Sequence, residues 1–112
     1  MALNEEFLEY VCEQAANAGE ITYRKMFGSY GFYMDGKFLA LICDDQFFIK
    51  PTTAGKIILG TPIESPPFNG AKDWFLIEDL DNSLLLTQVL IATWEELPFP
   101  QPKKAKNIKN NP

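Results

Sequence analysis

A chain of 112 residues, 46% of them apolar, is long enough for one domain with a single modest core and too apolar for a disordered segment. It has no histidine and only two cysteines, Cys12 and Cys43, with no CxxC, which excludes catalytic triads, Cys–His dyads and zinc sites of ordinary type. Fifteen acidic and six basic residues between Glu5 and Glu96 give the body a charge of −9, so that part is not expected to bind duplex DNA.

Residues 4–18 read as a helix. Asn4 suits the N-cap, and Glu5 and Glu6 face the positive end of the helix dipole. Phe7, Leu8, Val11, Cys12, Ala15 and Ala18 recur at three- and four-residue steps and form one apolar stripe. Gly19 is expected to end the helix in the left-handed conformation. The chemistry then switches to β. Segments 22–26, 30–34, 37–43 and 46–50 are rich in aromatic and β-branched residues and are parted by Gly28-Ser29, Asp35-Gly36 and Asp44-Asp45. Asp35-Gly36 is the sharpest turn signal, because a type I′ hairpin needs two positive φ angles. Such short connections make the four strands an antiparallel meander.

Pro51 ends the fourth strand, and Thr52 or Thr53 can cap a short helix that runs to Leu59 and stops at Gly60. Residues 61–71, with three prolines and a glycine, are expected to be loop. Residues 74–78 read as a further strand. Asp81 or Asn82 caps a second long helix to about Leu97, beyond which Pro98, Pro100 and Pro102 forbid continuation. Strands cluster instead of alternating with helices, so the expected class is α+β: two layers, an antiparallel meander sheet with the N- and C-terminal helices packed on it. Residues 1–97 form this domain, and residues 98–112, with Lys103, Lys104, Lys106 and Lys109, are expected to be a Pro/Lys-rich disordered tail.

The acidic N-terminus lacks the basic-then-apolar order of a signal peptide, and the longest apolar run, Phe38 to Cys43, is far too short to span a membrane. A cytoplasmic location is therefore expected, with Cys12 and Cys43 as free, buried thiols. Asp44-Asp45 and Glu78-Asp79-x-Asp81 are the acidic clusters that come nearest to metal sites, but acids at such positions are expected to be solvated turn residues. No catalytic, cofactor-binding or metal-binding residue emerges.

Two surfaces stand out as candidates. Gly28 and Gly31 straddle Ser29 and Tyr30 in strand-like sequence, where glycines mark a kink or a close backbone approach; with Arg24 and Lys25 beside them they outline a possible ligand notch. Arg24, Lys25, Lys37 and Lys50, interleaved with Tyr23, Tyr30 and Tyr33, are otherwise expected to be solvent-side residues of the strands. The last helix is apolar nearly all round. Leu84, Ile91 and Trp94 share one arc and are the expected partner or homodimer contact.

The segment from Thr22 to Phe38, with Met26-Phe27-Gly28-Ser29-Tyr30-Gly31 leading into the Asp35-Gly36 hairpin, resembles the N-terminal domain of the TfoX (Sxy) family of competence regulators. The strand Phe38-Leu39-Ala40-Leu41-Ile42, the step Lys50-Pro51, the loop Pro66-Pro67-Phe68 and the strand Trp74-Phe75-Leu76-Ile77 are similar too, so the likeness spans roughly residues 3–97. Ser29 stands where the family often has glycine. The resemblance implies a two-layer α+β fold and a regulatory role in competence and transcription without enzymatic chemistry, here as a stand-alone domain. The function expected is a non-enzymatic protein-interaction domain that needs no cofactor. The alternative is a small-ligand or nucleotide-binding module built on the Gly28/Gly31 kink.

Overall fold

The computed structural model describes residues 5–26 and 28–99. Its elements are α1 (Glu5–Ala15), β1 (Ile21–Met26), β2 (Ser29–Met34), β3 (Lys37–Cys43), β4 (Gln46–Ile49), α2 (Thr53–Leu59), β5 (Ile63–Ser65), β6 (Trp74–Ile77) and α3 (Ser83–Glu96). All six strands join one open antiparallel sheet in the order β1-β2-β3-β4-β6-β5. This is the α+β meander expected. Asn4 and the tail from Pro100 onward lie outside the described residues.

Both tight turns owe their shape to local chemistry. Asp35 and Gly36 both take positive φ, 45° and 85°, and join β2 to β3 with Met34 opposite Lys37. Asp44 and Asp45, at φ 51° and 60°, make the same kind of two-residue link between β3 and β4 and stand exposed. Two expectations need correction. Residues 63–65 are not loop: Ile63 to Ser65 pair with Leu76 to Trp74 at the sheet edge, where Pro62 and Pro66 flank the strand without interrupting a ladder. Gly19 is not left-handed. A Cβ there would lie 2.6 Å from Asp35 Oδ2 and 2.9 Å from Met34 Cγ, so the glycine allows close approach to the hairpin.

The helices lie on one face of the sheet. Val11 from α1 and Leu86, Val89 and Leu90 from α3 share a core with Phe32, Leu39, Phe47 and Ile49. A register shift places one extra residue in β3 opposite the Phe32–Tyr33 step, so neighbouring Leu39 and Ala40 both join this core. α3 starts on Asn82, whose Oδ1 accepts from the Leu85 N–H at 3.2 Å. It packs against both α1 and α2, which accounts for much of its broad apolar surface.

The two ends of α2 and α3 meet. Thr52 Oγ1 accepts from the Gly55 N–H at 3.0 Å, and the carboxylate of Glu96 accepts from the Ala54 N–H at 2.8 Å and the Thr53 N–H at 3.0 Å. Those two donors hold the Glu96 carboxyl below its ordinary range. A lowered carboxyl pKa adds stability in full above the unfolded-state value, and the contribution is lost as pH falls through the folded one. Unfolding midpoints in urea, measured from neutral to strongly acidic pH, are therefore expected to fall less steeply with acid in Glu96→Gln than in the parent. An identical acid limb in the two proteins would show that this cap adds nothing.

Candidate functional site on the open face of the sheet

Strand alternation sends half of the strand residues away from the helices. Tyr33 is opposite Phe38, and Lys50, just past the end of β4, and Trp74, at the start of β6, each adjoin the Ile49–Phe75 pair, so these four make a row on the open face. The rings of Tyr33 and Phe38 are 5.2 Å apart, and those of Phe38 and Trp74 6.1 Å. Beside this row Leu41, Cys43 and Phe48 are buried in a second, smaller apolar cluster, with Met26 and Leu76 against it. The connection between β5 and β6 arches over the cluster. Its Pro67 is buried, while Phe68 is 58% exposed. Between sheet and connection lies a groove of about 680 Å³, walled by Phe38, Leu41, Trp74, Pro67 and Phe68, with Ser29 and Asp44 at its polar end.

Two cations stand over rings of the row, outside the groove lining. Lys50 Nζ is 4.5 Å from the centroid of Phe38, and the Arg24 guanidinium is 5.6 Å from that of Tyr33. Partial burial pushes the Lys50 ammonium pKa down. Among the described residues the one ion pair is Lys56–Glu64 at 3.7 Å, so neither Lys50 nor Arg24 has a carboxylate within 4 Å there. Cys43 is the reverse case. Burial raises its thiol pKa, and the bond with Ser29 offsets this only in part. A thiol kept protonated at neutral pH is a weak nucleophile.

Residues 13–79, from within α1 to just past β6, match the family model of the TfoX N-terminal domain, so the whole sheet and its groove fall within the match. The chain belongs to the TfoX N-terminal domain family. It is also similar to a Spirochaeta aurantia protein described as "Uncharacterized 12.7 kDa protein in trpE 5'region", with 33% identity over 107 residues, 95% of this chain and 93% of the relative.

In this TfoX N-terminal domain the residues of the expected notch divide. Arg24, Ser29 and Gly31 lie on the open face, and Gly28 lines the groove with φ 82°. Lys25, opposite Tyr30, faces the helices instead. Gly31 opens no notch: a Cβ there would lie 2.6 Å from Met26 Cε, because the methionine already lies across it. On α3, Leu84 is 68% and Ile91 38% exposed. Trp94 is half-buried within its own domain; its Nε1–H donates to Met34 O at 2.9 Å and its ring meets Phe99 edge-on. Lys37 is no solvent-side residue. It is 6% exposed, and its Nζ donates to Trp94 O at 2.6 Å and Leu97 O at 2.5 Å. Phe38, Phe68 and Trp74 were not legible as site residues, although the unbroken apolar run through β3 signals a strand covered on both faces.

Proposed function

We propose that this TfoX N-terminal domain is a non-enzymatic regulatory module that acts in the cytoplasm by contacting a protein, a second copy of itself first of all. The observation that carries this reading is the exposure of two large apolar side chains, Leu84 at 68% and Ile91 at 38%, two turns apart on one side of α3. A negatively charged body favours proteins over duplex DNA as the regulated target, and the family match favours a role like that of competence regulators. Chemistry finds little support, since the sequence has no imidazole and the Cys43 thiol is held protonated. Among the described residues no helix is long and apolar enough to cross a membrane.

Light scattering on the full chain over a micromolar range tests the contact. A two-fold dimer is expected, and Ile91→Glu is expected to weaken it by about thirtyfold, or about 2 kcal/mol, with an unchanged melting temperature. A protein that stays monomeric at high micromolar concentration removes the homodimer. A dimer that Ile91→Glu leaves intact moves the contact elsewhere.

A further inference from the structure

We propose that the groove on the open face of the sheet binds a small elongated amphiphile with one cationic group, its apolar body against Leu41, Phe38 and Trp74 and its ammonium at Asp44. The volume, about 680 Å³, lies within the range of small-molecule sites. Most of the lining is apolar: the rings of Phe38 and Trp74 with centroids 6.1 Å apart, Leu41 further along β3, and Phe68 from the connection. Three separate segments supply these side chains, β3, the 66–73 connection and β6.

Charge sets the orientation. Asp44 is the one charged residue of the lining; it is exposed, and among the described residues no ion pair engages its carboxylate. Burial first, and the Asp44 charge after it, raise the pKa of the Cys43 thiol, so the carboxylate acts on the groove wall beside it and that wall stays neutral. Ser29 Oγ donates its proton to Met26 O at 3.1 Å, which leaves its lone pairs to accept. Both polar groups at this end are therefore acceptors, and an ammonium supplies the donors. At the ring end Lys50 and Arg24 stand over Phe38 and Tyr33 and repel a further cation, which turns the charged head of the ligand toward Asp44. Leu41 and Asp44 are three residues apart, about 10 Å at the usual rise, so a ring over Leu41 reaches the carboxylate through a short alkyl chain. The charge of −9 between Glu5 and Glu96 also favours an arriving cation over an anion. This site is separate from the α3 contact, which lies on the helix side of the sheet.

Three matched probes test it on the full chain: 4-phenylbutylamine, 4-phenylbutan-1-ol and 4-phenylbutanoate, which share a body and differ in charge. Titrations followed by amide and indole NMR shifts are expected to saturate and to centre on Leu41, Asp44 and Trp74. The amine should bind about fivefold tighter than the alcohol, with the carboxylate weakest. Asp44→Asn should abolish the difference between amine and alcohol and leave the alcohol within about twofold; asparagine keeps the shape and tolerates the φ of 51°. Asp45→Asn removes the same charge from the same turn but outside the lining, and should leave the preference for the amine in place. Phe68→Ser, at an exposed loop position, should weaken all three probes by about threefold. Non-saturable binding, equal affinity for amine and alcohol, a preference that Asp45→Asn removes as fully as Asp44→Asn, or shifts confined to α3 would each overturn the proposal.

Discussion

Replacing Lys37 with methionine is expected to destabilise the domain by about 2 kcal/mol, although the new side chain is apolar and of similar length. The ammonium of Lys37 caps the C-terminal end of α3, where the carbonyls of Trp94 and Leu97 have no helical donor left. It also lies 3.8 Å from the ring centroid of Trp94 and 4.6 Å from that of Phe99. Hydrogen bonds from a charged group are worth about 1.5–3 kcal/mol, and a desolvated cation over an indole adds up to about 2. Against these stands the cost of holding the ammonium out of water, which methionine removes; the difference leaves a net loss. Lys37→Ala should be worse, because it also removes the stem that fills the space under Trp94. Urea unfolding followed by tryptophan fluorescence reads both effects, and a Lys37→Met midpoint equal to that of the parent would show that the cap is offset by desolvation.

Lys37 also shows where sequence reading stops. Turn chemistry is local, so Asp35-Gly36 and the caps Thr52 and Asn82 were legible, and with them the hairpin, α2 and α3. The alternation that follows Asp35-Gly36 also places Lys37 on the same face as Leu39. A lysine is assigned to solvent by default, and only the end of α3, 57 residues along the chain, overrides that default. Glu96 is similar, since its partners belong to the helix 42 residues before it. Pairing across such distances leaves no trace in periodicity.

The candidate surfaces divide along the same line. Leu84 and Ile91 share a helix face by spacing alone and are exposed, but the same spacing admits Trp94, which the β2–β3 hairpin draws into the domain through Met34 O. The open-face groove depends on where the 66–73 connection settles. Proline content marks those residues as irregular without indicating what they cover. Gly31 is small so that Met26 can lie across it, and Met26 and Gly28 both line the cavity.

Phe47→Ala should cost about 3–5 kcal/mol, the largest loss expected from a single substitution in the sheet. Phe47 is completely buried and meets Phe32 edge-on, with centroids 5.2 Å apart, although β3 separates their strands. Between them β3 presents Ala40 opposite Phe32 and Ile42 opposite Phe47, so the residue facing Phe32 is a single methyl group. Truncating Phe47 removes a full ring from the centre of the core and ends an aromatic pair worth about 0.5–1.5 kcal/mol beyond its area. With a urea dependence of about 1–3 kcal/mol per molar, the midpoint should fall by more than about 1 M. Phe32→Ala should cost nearly as much, and the double variant less than the sum of the two, because the pair is lost only once. A strictly additive double variant would show that the rings act as separate fillers.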